Sequence, residues 1–248
     1  MSIPRQGSVV AVYYGPSIRL FRVKLGRRRG RLIVFEGVDG VGKTTLAGYL
    51  RSQIEAQNIP CELIAFPGRA EGTIGKFVYD FHHERGLDPS RRPLNPTSLQ
   101  LLHIAAHIDA IEERILPALR DGICIILDRF WWSSWAYGIA NGADRWSLDS
   151  MIRLERHHWR RIRPSLVVLL RRSVFVQTSR DDYAAKLDAA YKDLASACAA
   201  KYKVETIAND AGLEDICGKV LSITRPIWHP LGRIQPAHLT GKQLILPI

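Results

Sequence analysis

No apolar run in this chain is long enough to cross a bilayer. The longest, around Ile123–Leu127 and Leu166–Leu170, are strand-length, against the ~20 apolar residues that a spanning helix needs. The first residues lack the apolar stretch of a secretory leader. The four cysteines, Cys61, Cys124, Cys198 and Cys217, lie far apart and never form C-x-x-C. That argues against a zinc site and against a disulfide scaffold, and suits a reducing compartment. The expectation is a cytoplasmic protein with no membrane partner. Repeats and low-complexity tracts are absent too. Acidic residues are missing from both ends. Residues 1–31 hold eight basic groups and no acid, and residues 225–248 hold three and no acid. Residues 32–224 hold 24 of each sign, so the ends carry the whole net charge of +11.

What is present is a core-forming composition: 46% apolar and 24% charged residues in 248, neither disordered nor fibrous. The charge count divides the chain into a basic N-terminal extension (1–30), a neutral body (31–224) and a C-terminal extension (225–248). The ends read either as polyanion-attracting arms or as solvated tails that aid solubility or touch a sister subunit. Val9–Tyr14 and Ile18–Leu25 read as two short strands around Gly15-Pro16, and Gly26–Gly30 as a linker. In the body, strand-like runs at Leu32–Phe35, Cys61–Phe66, Ile123–Leu127, Leu166–Leu170 and Val204–Ile207 alternate with helical patterns. The helices are expected near Lys43–Gln57, Thr73–His83, Trp132–Ala140, Ser147–Arg161, Asp181–Ala200 and Leu213–Ile223. A further helix, capped by Thr97 or Ser98, carries Ile104, Ile108, Ile111 and Ile115 as one stripe. Buried strands alternating with helices predict an α/β fold, a parallel sheet covered on both faces.

Gly37-Val38-Asp39-Gly40-Val41-Gly42-Lys43-Thr44 matches G-x-x-x-x-G-K-[ST] between a strand and a helix, the setting the motif requires. Glycines let backbone N–H groups turn toward phosphate oxygens, and the helix N-terminus adds about half a positive charge there. Lys43 suits the β and γ oxygens of ATP, and the Thr44 hydroxyl can ligate Mg²⁺. Asp128 closes an apolar strand, where a carboxylate can reach the same ion; the alternative for Asp128 and Arg129 is a local ion pair.

Phe35–Thr45 resembles the opening of the thymidylate kinases, P-loop nucleoside monophosphate kinases. Ile115–Gly122 leading into Ile125–Phe130 is similar to a second family segment, and Ser133-Ser134-Trp135-Ala136-Tyr137 to its S-S-x-A-Y. Phe66-Pro67-Gly68-Arg69 with Gly72–Gly75 resembles its second phosphate-contacting loop. The likeness covers about residues 31–223. It implies a three-layer P-loop kinase fold, with transfer of the ATP γ-phosphoryl group to a nucleoside monophosphate such as dTMP, using Mg²⁺. It assigns the ATP phosphates to Gly37, Asp39, Gly40, Val41, Gly42, Lys43, Thr44 and Thr45, and the metal to Thr44 and Asp128. The acceptor phosphate falls to Arg69 and Arg129. Asp39 would meet the sugar 3′-hydroxyl, and Tyr137 and Phe66 would line the acceptor pocket with Ser133. Family members are commonly homodimers.

The pattern departs from the family at three places. His103 and His107 stand where the family usually has a base-stacking Phe and a base- or phosphate-binding Arg. They share a helical face, and they read as base contacts or as plain core or surface histidines; a metal pair lacks an evident third ligand. The arginine-rich lid is short, leaving Arg172 and Arg180 as candidates for the transition-state cation. The basic ends match no core feature of the family. Two other functions remain beside nucleotide phosphorylation. One is a kinase acting on a hydroxyl of a modified base or sugar in DNA or RNA, with the basic termini on the nucleic acid. The other is a non-catalytic nucleotide-binding module. Ser133 and Ser134 read equally as helix caps, and Trp131, Trp132 and Trp135 as packing residues rather than base-stackers.

Overall fold

A computed structural model describes residues 8–14, 17–23, 29–85, 94–172 and 181–229. Two N-terminal strands, β1 (Ser8–Tyr14) and β2 (Ser17–Val23), pair antiparallel, with Val10 opposite Phe21. The body is built on β3 (Leu32–Glu36), β4 (Cys61–Ala65), β5 (Cys124–Asp128), β6 (Leu166–Arg171) and β7 (Val204–Ala208). They form one parallel sheet in the order β4-β5-β3-β6-β7. The three inner strands are buried along almost their whole length, as a sheet covered on both faces requires.

The crossovers are helical: α1 (Lys43–Glu55), α2 (Ile74–Arg85), α3 (Pro96–Ala110), α4 (Leu116–Arg120), α5 (Trp131–Ala140), α6 (Arg145–Trp159), α7 (Asp181–Cys198) and α8 (Leu213–Trp228). On α1, Leu46, Leu50 and Ile54 recur every four residues and face the sheet. Asn58, at φ 56°, reverses the chain after it, a conformation asparagine tolerates better than most residues. Asn95 rather than Thr97 or Ser98 caps α3: its side chain accepts from Thr97 N at 2.9 Å. Pro96 then occupies the first helical position, where a missing N–H costs nothing. The isoleucine stripe holds at Ile104, Ile111 and Ile115, while Ile108 is half-buried. A π-helical turn, Ile111–Ile115, joins α3 to α4. It ends two residues before Pro117, which has no N–H to give the carbonyl four residues back and whose ring crowds it.

Two boundaries differ from the expected ones. Gly30, assigned to the linker, is packed: its N–H donates to Leu119 O at 2.7 Å. A Cβ there would lie 1.9 Å from Ile123 O. At the other end, α8 continues past Ile223 to Trp228, with Thr224 and Trp228 buried. Among the described residues no helix is long and apolar enough to cross a membrane.

The topology fixes where chemistry can occur. β3 and β5 are adjacent, with Phe35 opposite Asp128. The loop after β3 and the residues after β5 therefore emerge together at the carboxyl ends of the strands, where open α/β sheets bind ligands.

Candidate active site

The loop from β3 to α1 turns at Gly37 (φ 135°), Gly40 (φ 74°) and Gly42 (φ 95°), a region that favours glycine. Two of these positions are also sterically closed. A Cβ on Gly37 would lie 2.2 Å from Leu170 O, and one on Gly42 2.6 Å from Asn209 Nδ2. Asn209, just after β7, donates to Val41 O at 2.7 Å and clamps the loop from above. Gly42 caps α1 without any side-chain bond to the helix amides. The first amides of α1 are thus left for an anion.

Lys43 is buried and folds back over the loop, donating from Nζ to Val38 O at 2.7 Å. Burial and the neighbouring Arg129 cation lower its pKa to about 8, against the pull of Asp128, Asp39 and Glu36. Thr44 Oγ1 donates to Asp128 Oδ2 at 2.5 Å. Asp128 Oδ1 is buried and has no hydrogen-bond partner. A hydroxyl and a bare carboxylate oxygen side by side form a hard-oxygen donor set of the kind that Mg²⁺ takes. The residues present therefore fit that ion.

Directly after Asp128, Arg129 has φ 82°, a conformation that costs of order 1–3 kcal/mol for a residue with a side chain. Its N–H is held by Phe35 O at 2.9 Å. Its guanidinium donates to Asp39 Oδ1 and to Ser133 Oγ (3.3 Å) and stands 5.3 Å from the Tyr137 ring centre. Tyr137 completes the cluster, donating to Asp39 Oδ2 at 2.8 Å and accepting from Asp39 N at 3.1 Å. Burial alone would raise the Asp39 pKa; Arg129, Tyr137 and Lys43 outweigh it and hold the carboxyl below its usual range. Asp128 and Arg129 are thus not paired with each other: one turns to Thr44, the other to Asp39.

Beneath this cluster lies Glu36, a motif position with no role assigned from the sequence. It is completely buried at the end of β3. Oε1 accepts from the N–H groups of Phe130 (2.7 Å) and Ser133 (3.1 Å), and Oε2 from Ser133 Oγ (2.7 Å). Glu36 therefore supplies the acceptor that the cap residue Phe130 lacks at the start of α5. Ser133 is not that cap; it joins Glu36 to Tyr191 on α7, with a 2.9 Å Ser133 Oγ–Tyr191 Oη contact. Burial pushes the Glu36 pKa up to about 7, the Ser133 bonds and the Arg129 and Lys43 charges opposing it.

The cleft above these residues is about 1080 Å³. Asp39, Gly40, Gly42, Lys43, Thr44 and Thr45 line one side, with Asp128, Arg129, Ser133 and Tyr137 beside them. Phe66, Arg69, His103 and His107 line the far wall. Gly37 and Val41 are not on the surface of the cleft and act through the backbone. Arg69 is exposed and lies 4.5 Å over the Tyr79 ring. Arg172 is exposed and does not line the cleft, while Arg180 lies outside the described residues. Trp131 and Trp132 are buried in the core, and neither lines the cleft.

The histidines divide. His107 is buried, stacked on Phe66 with ring centres 3.9 Å apart, and its Nδ1 contacts Glu155 Oε1 at 2.9 Å. Glu155, fully buried, also accepts from Trp159 Nε1 at 3.2 Å. The signal for this pair was legible: Glu155 interrupts the apolar stripe Leu148, Ile152, Trp159 of α6, and a buried acid needs a partner. His103 sits one turn earlier, half-buried, its ring centre 6.4 Å from that of His107. Among the described residues no group of three potential metal ligands exists.

Comparison with known proteins agrees with this architecture. A family model described as thymidylate kinase matches residues 35–205. A thymidylate kinase of Pelotomaculum thermopropionicum is 36% identical over 143 residues, covering 57% of this chain and 62% of the relative. One from Neorickettsia sennetsu is 30% identical over 154 residues, covering 61% and 70%. The match thus spans 62% and 70% of these two relatives' length. The solved thymidylate kinase of Ehrlichia chaffeensis superposes with a TM-score of 0.59 at 21% identity, over 79% of this chain and 99% of that one. With a strand–glycine loop–helix cradle, a Thr–Asp pair beside it and a family match running from β3 to β7, the chain belongs to the thymidylate kinase family, a family of nucleotide kinases.

Proposed function

We propose that the protein transfers the γ-phosphoryl group of ATP to a pyrimidine nucleoside monophosphate of the dTMP kind, giving the diphosphate and ADP. The observation that carries this reading is the adjacency of two differently equipped halves of one cleft. One is the amide-lined loop with Lys43 and the Thr44–Asp128 pair; the other is the Asp39–Arg129–Tyr137 cluster.

Such a transfer asks for positioning and charge neutralisation more than for covalent chemistry. The loop amides and Lys43 would bind the β and γ oxygens, with Lys43 releasing Val38 O to do so. Thr44 and the bare Oδ1 of Asp128 would hold Mg²⁺, which when bound offsets charge on those oxygens. Arg129, joined by Arg69, would hold the acceptor phosphate opposite the γ-phosphorus. Asp39, poised between Arg129 and Tyr137, would accept a hydrogen bond from the sugar 3′-hydroxyl. Arg172 or Arg180 would bring the remaining cation to the transition state, closing the cleft and excluding water.

The test is transfer of label from γ-labelled ATP with Mg²⁺ to dTMP, dUMP, dCMP, free deoxynucleosides and DNA carrying hydroxymethylated bases, each in turn. Label in a nucleoside diphosphate, abolished in Lys43→Ala, supports the reading. Label on the polymer would move the acceptor to nucleic acid. ATP binding without transfer to any acceptor would make the chain a binding module.

A further inference from the structure

Away from the cleft, cations gather on the outer face of α6 and the turn after it. Residues 153–163 hold five arginines, two histidines and no lysine, against one acid. That acid, Glu155, is fully buried and committed to His107 and Trp159. Arg153, Arg160, Arg161 and Arg163 are exposed. Arg153 bonds only the Ser150 hydroxyl (2.9 Å), and Arg160 only His157 Nδ1 (2.8 Å). Neither contact neutralises a charge. Among the described residues Arg161 and Arg163 make no hydrogen bond or ion pair. Two carboxylates border the patch: Glu112, bound by His158 Nδ1 at 2.8 Å and lying in the fields of Arg161 and Arg120, and Asp149, which pairs with Arg145 at 2.9 Å and lies in the field of Arg153 without bonding it. Glu112, His157, His158, Arg160 and Arg161 rim a surface pocket of about 140 Å³.

Like charges so placed repel one another, and a body that is neutral overall does not need them for solubility. Guanidinium without any ammonium suits phosphate, because its planar fork bonds two oxygens at once. The same helix face carries an aromatic platform. Trp146, Arg153, His157 and Arg160 follow at intervals of seven, four and three residues, one face of a helix. The Trp146 side is 76% exposed, and Leu154 beside the stripe is 50% exposed. From Trp146 to Arg160 the face runs about 21 Å at 1.5 Å per residue. A row of cations with an open indole at one end matches a flexible strand that offers both phosphates and unstacked bases.

We propose that the outer face of α6 with residues 160–163 is a docking surface for single-stranded nucleic acid. Phosphates lie on Arg153, Arg160, Arg161 and Arg163, and a base stacks on Trp146. This surface is independent of the chemistry in the cleft.

The test is binding of a labelled oligothymidylate to the full chain, followed by fluorescence anisotropy from about 50 to 200 mM salt. Neutralising four phosphate contacts on a single strand contributes about 3 to the slope of log K against log salt. Replacing the four arginines together by alanine should make the slope shallower by about that amount, and replacing them by lysine should leave it nearly intact. Trp146→Ala should weaken binding about tenfold with the slope unchanged. Circular dichroism and phosphoryl transfer to the monophosphate should match the parent in every variant, so failure here is distinguishable from failure of the kinase reading. A slope unchanged in the alanine variant would overturn the proposal. So would loss of binding only on replacing Arg27, Arg28 and Arg29, duplex bound more tightly than single strand, or equal affinity for polyglutamate, which would make the partner an acidic protein.

Discussion

Glu36→Gln should flatten the pH dependence of stability between about pH 4.5 and 7. In the folded protein the Glu36 carboxyl is wholly buried, and its pKa rises from 4.5 to about 7. A difference of that size corresponds to roughly 3 kcal/mol at about 1.4 kcal/mol per unit. The direction follows from proton counting. As pH rises through this window the unfolded chain has already released the Glu36 proton while the folded chain still holds it, so unfolding releases a proton and stability falls. Below the window both states are protonated and the penalty is absent. Above about pH 7 both are ionised and it is complete. Glutamine keeps an acceptor for the Phe130 and Ser133 amides but cannot ionise. It changes the bond to Ser133 Oγ, an effect that does not vary with pH. Urea unfolding of both proteins at several pH values, compared as differences, cancels the other carboxylates. The parent should lose on the order of 3 kcal/mol relative to the variant between pH 4.5 and 7.5. Parallel curves would refute the assignment of a buried, proton-holding carboxyl beneath Arg129.

Further predictions concern the loop and the far wall. The Lys43 pKa is lowered to about 8 in the free protein; phosphates favour its ammonium form, so nucleotide binding just above pH 8 should take up a proton. Calorimetry in buffers of different ionisation enthalpy reads that uptake, and Lys43→Met should abolish it. Gly37→Ala forces a Cβ to within 2.2 Å of Leu170 O at φ 135°. It should cost about 2 kcal/mol or more, read as a lower thermal midpoint. His107→Ala leaves Glu155 buried without its His107 partner, at a cost of about 2 kcal/mol. His107→Ala with Glu155→Leu should recover much of that loss in denaturant unfolding.

The sheet was legible because its inner strands are continuous apolar runs punctuated by Gly37 and Arg129, and the phosphate loop because steric demand restricts which residues can occupy Gly37 and Gly42. Boundaries were less so. The cap of α3 moved to Asn95 because Pro96 takes the first helical position. The π-helical turn before Pro117 leaves the apolar spacing almost unchanged, so periodicity does not reveal it. In the site, single residues were visible and their pairings were not. Asp128 and Arg129, neighbours in sequence, turn to different partners because the Arg129 backbone takes a left-handed conformation. His107 occupies a position of the acceptor wall, yet its Nδ1 is committed to an acid 48 residues away. Partners so distant in sequence become apparent only once α3 and α6 are packed together.

The most direct test is the structure of the protein crystallised with a non-hydrolysable ATP analogue and Mg²⁺. The β and γ phosphates should lie against the amides of residues 37–44, with Lys43 Nζ drawn off Val38 O and the ion at Thr44 Oγ1 and Asp128 Oδ1. An analogue bound elsewhere, with Lys43 still on Val38 and no ion at Asp128, would contradict it.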